Sequence, residues 1–428
     1  MNYFLRLAFT LMFGLFFSII VAYPESSLGS PAATSDKTIK IEKYFSGPVK
    51  PTSMAFTDSN EFLILERNDG KVYRVSNGEM DSKPLLDVNV ATDGYRGMLG
   101  IAISEGLNSI NIFLYFTEAN TRDGDDSDNS NPKEPLGNRV YKYEYRQGQI
   151  VNPKLLLDLP ALPGPRHPGG ILAIGPDNNL YVTVGDIDGT FKREYETMAQ
   201  NYQNGSSPDG RSGILRVTQD GKPIANGILG DKSILDLYYA YGIRNSFGID
   251  WDPVTGDLWD TENGPHYGDE INRVEPGFNS GWAKVQGLWT PNLDEKGKLN
   301  MNPTDLVDFD GSGTYSLPEL VWIPPIAPTA LKFIDSDKLG SQYRNDLFVA
   351  DANTGSIYHF DLINNRTELK LVGLLEDKIA NSIDETKDSI FANGFGRITD
   401  LEVGPDGLMY VLSSEDDGAV LYRISKAG

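Results

Sequence analysis

A unit recurs six times along this chain, and no other feature limits its fold as tightly. In each copy an apolar run leads to an Asp/Asn/Gly turn. An apolar–aromatic strand, a second turn and a strand carrying Tyr, Arg or Val then follow. The copies lie at 53–75, 98–145, 171–218, 247–274, 331–362 and 398–424. Helical periodicity is nearly absent after residue 37, which points to an all-β protein. One such unit cannot bury both faces by itself. Six stacked around an axis can, so the pattern predicts a six-bladed β-propeller with long inter-strand loops over residues 38–428. Inserts at 119–139, 186–212 and 275–322 account for a spacing wider than a compact propeller needs. Loops at one end of the channel would form a shared cleft, where function is expected.

The N-terminus reads differently. Met1–Arg6 carries one positive charge, Leu7–Val21 is almost wholly apolar, and Ala22 offers a small residue for cleavage. Residues 1–22 are therefore expected to be a signal peptide or an N-terminal anchor. Residues 23–37, rich in Ser, Pro and Ala, are expected to be a flexible linker. The predicted location is extracytoplasmic, either secreted or anchored at the outer face of the cell membrane. The only membrane contact expected is through such an anchor. Cysteine is absent, which excludes disulfides, thiol nucleophiles and thiolate metal sites. A net charge of −22 repels nucleic acid, so no nucleic-acid partner is expected.

Familiar nucleotide, flavin, hydrolase and metalloprotease motifs are missing. Four loop segments stand out instead. GPRHPGG carries His167, one of three histidines, directly before the strongest strand–turn–strand signal. A loop imidazole at a cleft suits proton abstraction, although most loop histidines have no role. YGIRNSFG places Arg244 and Asn245 before the fourth copy, and GFGRITD places Arg397 before the sixth. Both arginines could equally pin loops by bonding carbonyls. TENGPHYGDEIN holds Gly264, Pro265, Asp269 and Glu270. Its two carboxylates could hold calcium, pair with an arginine or cap the turn. Ring closure would draw these distant loops to one axis. DFDGSGTYSLPE, from Asp308 to Glu319, fits the spacing of a calcium loop but also reads as an Asp/Gly-rich turn, and Pro318 opposes an exiting helix.

In order, these segments resemble the glucose/sorbosone dehydrogenase family, the soluble pyrroloquinoline quinone (PQQ) sugar dehydrogenases, over roughly residues 45–425. The resemblance implies an oxidoreductase. It would oxidise the C1 hydroxyl of aldose sugars to lactones, with hydride passing to PQQ and onward to an external electron acceptor. It assigns His167 as the base, with Arg244 acting on the quinone beside it. Arg244, Asn245 and Arg397 would bind the cofactor. Gly264 and Pro265 would bind an active-site calcium, and Glu270 a structural calcium. The chain departs from the family pattern at Tyr95, Asn353 and Thr399, where a glutamine, a lysine and an arginine are usual, and Arg166 stands where a carboxylate usually precedes the histidine. Two other readings stay open. One is a non-catalytic exported propeller that binds glycans or protein partners through the same cleft. The other, weaker, is a calcium-dependent lactonase.

Overall fold

The computed structural model describes residues 31–106, 109–119, 135–188, 195–288 and 303–428. The expected leader, residues 1–22, lies outside them. Among the described residues no helix is long and apolar enough to cross a membrane.

The chain is an all-β propeller. Blade 1 holds Pro51–Asp58, Glu61–Glu66, Lys71–Ser76 and Glu79–Met80, and blade 2 Met98–Glu105, Ile110–Ala119, Pro135–Arg146 and Gln149–Leu159. Blade 3 is built on Leu172–Ile174, Leu180–Val184, Gly213–Val217 and Tyr238–Tyr241. Blade 4 uses Ser246–Trp251, Leu258–Glu262, Asp269–Val274 and Leu320–Trp322, and blade 5 Pro328–Phe333, Leu347–Asp351, Ser356–Phe360 and Ile390–Asn393. Each blade is an antiparallel sheet of strands taken in chain order.

The expectation of six equivalent copies needs correction here. Five copies become such blades. The copy at 398–424 supplies only Arg397–Val403, Met409–Glu415 and Gly418–Lys426, and Ile39–Gly47 from the other end of the body completes its sheet. The physical reason is the edge. An unpaired last strand would expose a row of backbone donors and acceptors, and the first strand covers it. The pairing runs from Ile39 opposite Lys426 to Gly47 opposite Ala419. The stretch expected as linker is fastened where it is described. Ala33 exchanges backbone bonds with Asn393, and Tyr343 donates to Asp36 at 2.6 Å.

Neighbouring sheets meet through their first strands, with blade 3 reaching blade 4 through its second. Each joint is sealed by apolar side chains from both partners. Leu63 and Leu65 of blade 1 pack with Ile112 and Leu114 of blade 2. Phe348 of blade 5 packs with Leu401 and Val411 of the closing sheet, and Phe45, Phe62 and Leu421 join that sheet to blade 1. Period-two alternation makes this possible, because each sheet presents one apolar row to each neighbour. The beginning of every first strand and the end of every second strand therefore face one mouth of the ring.

Candidate active site

His167, Arg244, Asn245 and Gly264 all lie at that mouth. His167 stands five residues before Leu172, and Arg244–Asn245 immediately precede Ser246. Gly264 follows the second strand of blade 4. His167 adopts φ 55°, a left-handed conformation that turns its ring inward from the Pro/Gly-rich loop.

His167 Nδ1 lies 2.6 Å from Asp186 Oδ1. A carboxylate there holds the proton on Nδ1 and leaves the lone pair on Nε2. Arg244 Nη2 donates to that Nε2 at 2.9 Å. Asp186 is held in turn by Trp282 Nε1, which donates to Oδ2 at 2.9 Å, and the Arg244 guanidinium lies 5.5 Å over the Trp282 ring. The result is a continuous array, Trp282–Asp186–His167–Arg244, with the histidine side chain 12 % exposed. Asn245 Oδ1 accepts from the Gly169 amide at 3.3 Å and so ties the histidine loop to blade 4.

Sequence reasoning missed Asp186 and Trp282. Asp186 closes the strand signal that follows His167. The hairpin return brings it back beside the loop that precedes the hairpin's first strand, so the signal was local. Trp282 comes from the long insert, 96 positions from Asp186, and nothing in its surroundings marked it.

Arg244 is desolvated, and burial lowers its pKa. Its Nη1 donates to the Asn263 and Gly264 carbonyls at 2.7 and 2.8 Å. Its guanidinium makes no ion pair with a carboxylate among the described residues, although its backbone amide donates to Glu262 at 2.7 Å. Arg397 begins the first strand of the closing sheet at the same mouth, but it touches neither His167 nor Arg244 among the described residues. Its charge is felt at Arg67, whose pKa is lowered by burial and further by Arg397. Arg67 spends its guanidinium on the Arg96 and Gly94 carbonyls. Arg67, Arg244 and Arg397 thus lie at loop or strand ends of one mouth of a strongly acidic protein, and among the described residues none of the three guanidinium groups makes an ion pair with a carboxylate. Such a mouth would hold an anion.

The Gly–Pro turn has a defined electrostatic role. Asp269 accepts from the Gly264 amide and from the Ile326 and Ala327 amides, each at 2.8 Å. It caps the turn, and burial raises its pKa to about 6. The Gly264 carbonyl faces the mouth and serves Arg244, whereas the Pro265 carbonyl accepts no hydrogen bond among the described residues.

Glu270 lies deeper, within blade 4, beside Asp260 and Glu262. All three are at most 1 % exposed. Burial raises the pKa of Asp260 to about 7; burial, with repulsion from neighbouring carboxylates, raises that of Glu270 to about 7 and that of Glu262 well above the usual carboxylate range. Ser280 donates to Glu262 at 2.7 Å, and the Gly287 amide donates to Glu270 at 2.6 Å. Ser246 and Asn272 approach Asp260, yet both Asp260 oxygens, Ser246 Oγ and Asn272 Oδ1 complete no hydrogen bond. Orphaned, buried and all-oxygen, this donor set fits a calcium ion.

The remaining expectations resolve locally. Glu319 is paired with Lys378 at 3.0 Å, and the Gly313 amide bonds the Asp308 carbonyl, so the 308–319 segment closes as a turn. Asn353 donates to the Pro325 carbonyl at 3.1 Å, and Thr399 donates to the Leu412 carbonyl at 3.4 Å. Tyr95 is 54 % exposed, and its amide is bonded to the Pro165 carbonyl.

Fold and site together define a propeller with a carboxylate-oriented histidine at one mouth and guanidinium groups there that, among the described residues, bond carbonyls or the imidazole rather than carboxylates. The chain belongs to the glucose/sorbosone dehydrogenase family, whose model matches residues 49–423. It is 27 % identical to an uncharacterized protein of Synechocystis sp., with 97 % of each chain covered. It is 25 % identical to an aldose sugar dehydrogenase of Escherichia coli, covering 93 % of this chain and 96 % of that one. The PQQ-bound form of an aldose sugar dehydrogenase from Streptomyces coelicolor shares the fold at a TM-score of 0.63, with 21 % identity over 92 % of this chain and 99 % of that one.

Proposed function

We propose that this protein is a PQQ- and calcium-dependent aldose dehydrogenase that converts the C1 hydroxyl carbon of a sugar to a lactone carbonyl. The observation that carries this reading is the Asp186–His167–Arg244 array at the mouth. Asp186 fixes the imidazole tautomer, and His167 Nε2 takes the proton of the C1 hydroxyl. Arg244 leaves Nε2 to meet developing negative charge, and its departure frees the lone pair. Arg397, Arg67 and Arg244 supply positive charge for carboxylates, and Asn245 holds the histidine loop in register with blade 4. Bound PQQ supplies the two-electron acceptor chemistry for the hydride lost from C1. The Gly264 and Pro265 carbonyls would contribute to a calcium at the mouth, and Glu270 with Asp260 and Glu262 would hold a second ion below it. The electrons would leave to an external acceptor, outside the cytoplasm.

One observation favours the non-catalytic reading. Asn353 and Thr399, at positions where cationic side chains are usual in the family, are spent on backbone carbonyls and give no charge to a ligand. Charge-assisted bonds contribute about 1.5–3 kcal/mol each, so losing two would weaken a tricarboxylate severely. Reconstitution separates the readings. The apoprotein is incubated with PQQ and calcium, and quinone absorbance is followed on adding aldoses. Bleaching by aldoses, abolished in His167→Ala with cofactor still bound, is expected. A chain that takes up no quinone at high micromolar cofactor is not this enzyme.

A further inference from the structure

A second cluster of metal-ligating side chains lies at the other end of the ring. Asp346 precedes the second strand of blade 5, His359 is in its third strand and Asp361 directly follows that strand. The two strands are antiparallel, with Phe348 opposite His359 and Leu347 opposite Phe360, so Asp346 and Asp361 form the next pair along the ladder. One potential ligand atom from each residue falls within 4.8 Å of the others.

The arrangement exceeds what an ordinary ion pair needs. His359 Nε2 lies 2.9 Å from Asp346 Oδ2 and 3.7 Å from Asp361 Oδ1. One ring nitrogen has a single in-plane direction, so a proton on it can serve only one of the two carboxylates. A cation in front of Nε2 would serve both. Lys370 takes Asp361 Oδ2 at 2.8 Å and leaves Oδ1 turned toward the imidazole. The ring itself is fixed by Tyr343, edge-on at 5.1 Å, and by Phe348 at 5.0 Å. Asp346 is 8 % exposed, whereas the Asp361 side chain is 42 % exposed, which leaves an approach for the ion and for a water ligand.

We propose that Asp346, His359 and Asp361 form a divalent-cation site, separate from the mouth, that takes a borderline d-block ion such as zinc. Two carboxylate oxygens and one imidazole nitrogen, held at rigid strand ends, form a set that zinc accepts with water as the fourth ligand. Calcium, which prefers six to eight oxygens, is a poor match for an imidazole. The ion would clamp the second and third strands of blade 5 at the end where Lys370 now neutralises only one carboxylate.

The test uses the full chain, treated with chelator and dialysed. Zinc chloride is titrated by calorimetry, and cobalt chloride is followed by visible absorption. A bound zinc, a cobalt band from a nitrogen-containing site, and the loss of both in His359→Gln and in Asp361→Asn are expected. Glu270→Gln, which alters the all-oxygen cluster of blade 4, should leave both signals in place. The Asp361 side chain is partly exposed, so Asp361→Asn remains informative if His359→Gln fails to fold. The proposal is overturned if the wild-type chain binds neither ion, or if binding survives unchanged in Asp361→Asn.

Discussion

At the scale of single residues, the site rests on which nitrogen of His167 carries the proton. Asp186 settles this from Nδ1, and Trp282 keeps Asp186 pointed at the ring. Asp186→Asn keeps the shape but can present an amide where an acceptor is needed, which favours the wrong tautomer. We expect turnover with aldose in the reconstituted protein to fall by about 10²–10⁴-fold, while PQQ binding measured by absorbance titration changes little. Wild-type kcat in the Asp186→Asn protein would remove the orienting role. His167, Arg244 and Asn245 were legible because each sits in a Pro/Gly-rich or polar loop just before a recognisable first strand. Asp186 was within reach of the same logic, since it ends the hairpin that His167 introduces. Trp282 was not, because its contact is made by a long insert whose path depends on the finished ring. Arg397 was read as part of the same cofactor shell, and it does lie at the same mouth. Its charge acts on Arg67, and among the described residues it makes no contact with the histidine, a distinction that loop position cannot convey.

At the scale of elements, blades 3 and 4 meet so closely at the site that a methyl group would not fit. A Cβ on Gly185 would lie 2.3 Å from the His167 carbonyl, 2.8 Å from the Arg244 carbonyl and 2.9 Å from Asn245 Oδ1. Gly185→Ala must therefore push both site loops apart. A loss of about 1–3 kcal/mol in urea denaturation is expected, together with lower activity. An unchanged midpoint would show that the loops yield freely. Within blade 4, Asp260, Glu262 and Glu270 make a different prediction. In the unfolded chain these groups ionise near pH 4. In the folded chain, Asp260 and Glu270 hold their protons up to about pH 7. The native state thus binds more protons between those limits. The cluster's contribution to stability is fully present below about pH 4 and is lost as pH rises toward 7. A calcium ion among the carboxylates offsets that loss. Calcium should therefore raise the melting temperature more at pH 8 than at pH 5, and Glu270→Gln should shrink the increment. Equal increments at both pH values would place the ion elsewhere. The motif GP–DEIN marked this region in the sequence, but Asp260 was invisible there, because a strand aspartate looks solvent-facing until a neighbouring blade covers it.

At the scale of the whole molecule, closure decides whether the ring exists. The recurring unit was readable because turn residues and apolar alternation are local signals. The partner of the last strand was not, because Ile39–Gly47 and Gly418–Lys426 are separated by nearly the entire chain. The seam is made by backbone pairing and by side chains from both ends. Arg423 Nε donates to Glu42 at 2.8 Å, its guanidinium lies 4.9 Å over the Tyr44 ring, and Phe45 enters the joint with Phe62 and Leu421. Two truncations separate the seam from the segment before it. A chain beginning at residue 39 loses the bonds of Ala33, Thr34 and Asp36 to blade 5 and to Tyr343, each a net contribution of about 1 kcal/mol. It should keep a cooperative denaturation curve at a lower midpoint. A chain beginning at residue 48 also loses the strand itself. It exposes the edge at 418–426 and unseals the joint with blade 1, and because every sheet depends on its neighbours, the ring should lose cooperativity as a whole. Adding a peptide of residues 39–47 in trans should restore part of the transition. If the shorter chain unfolds at the same denaturant concentration as the longer one, the ring is held by its inter-blade packing alone, and the N-terminal strand is only a cover.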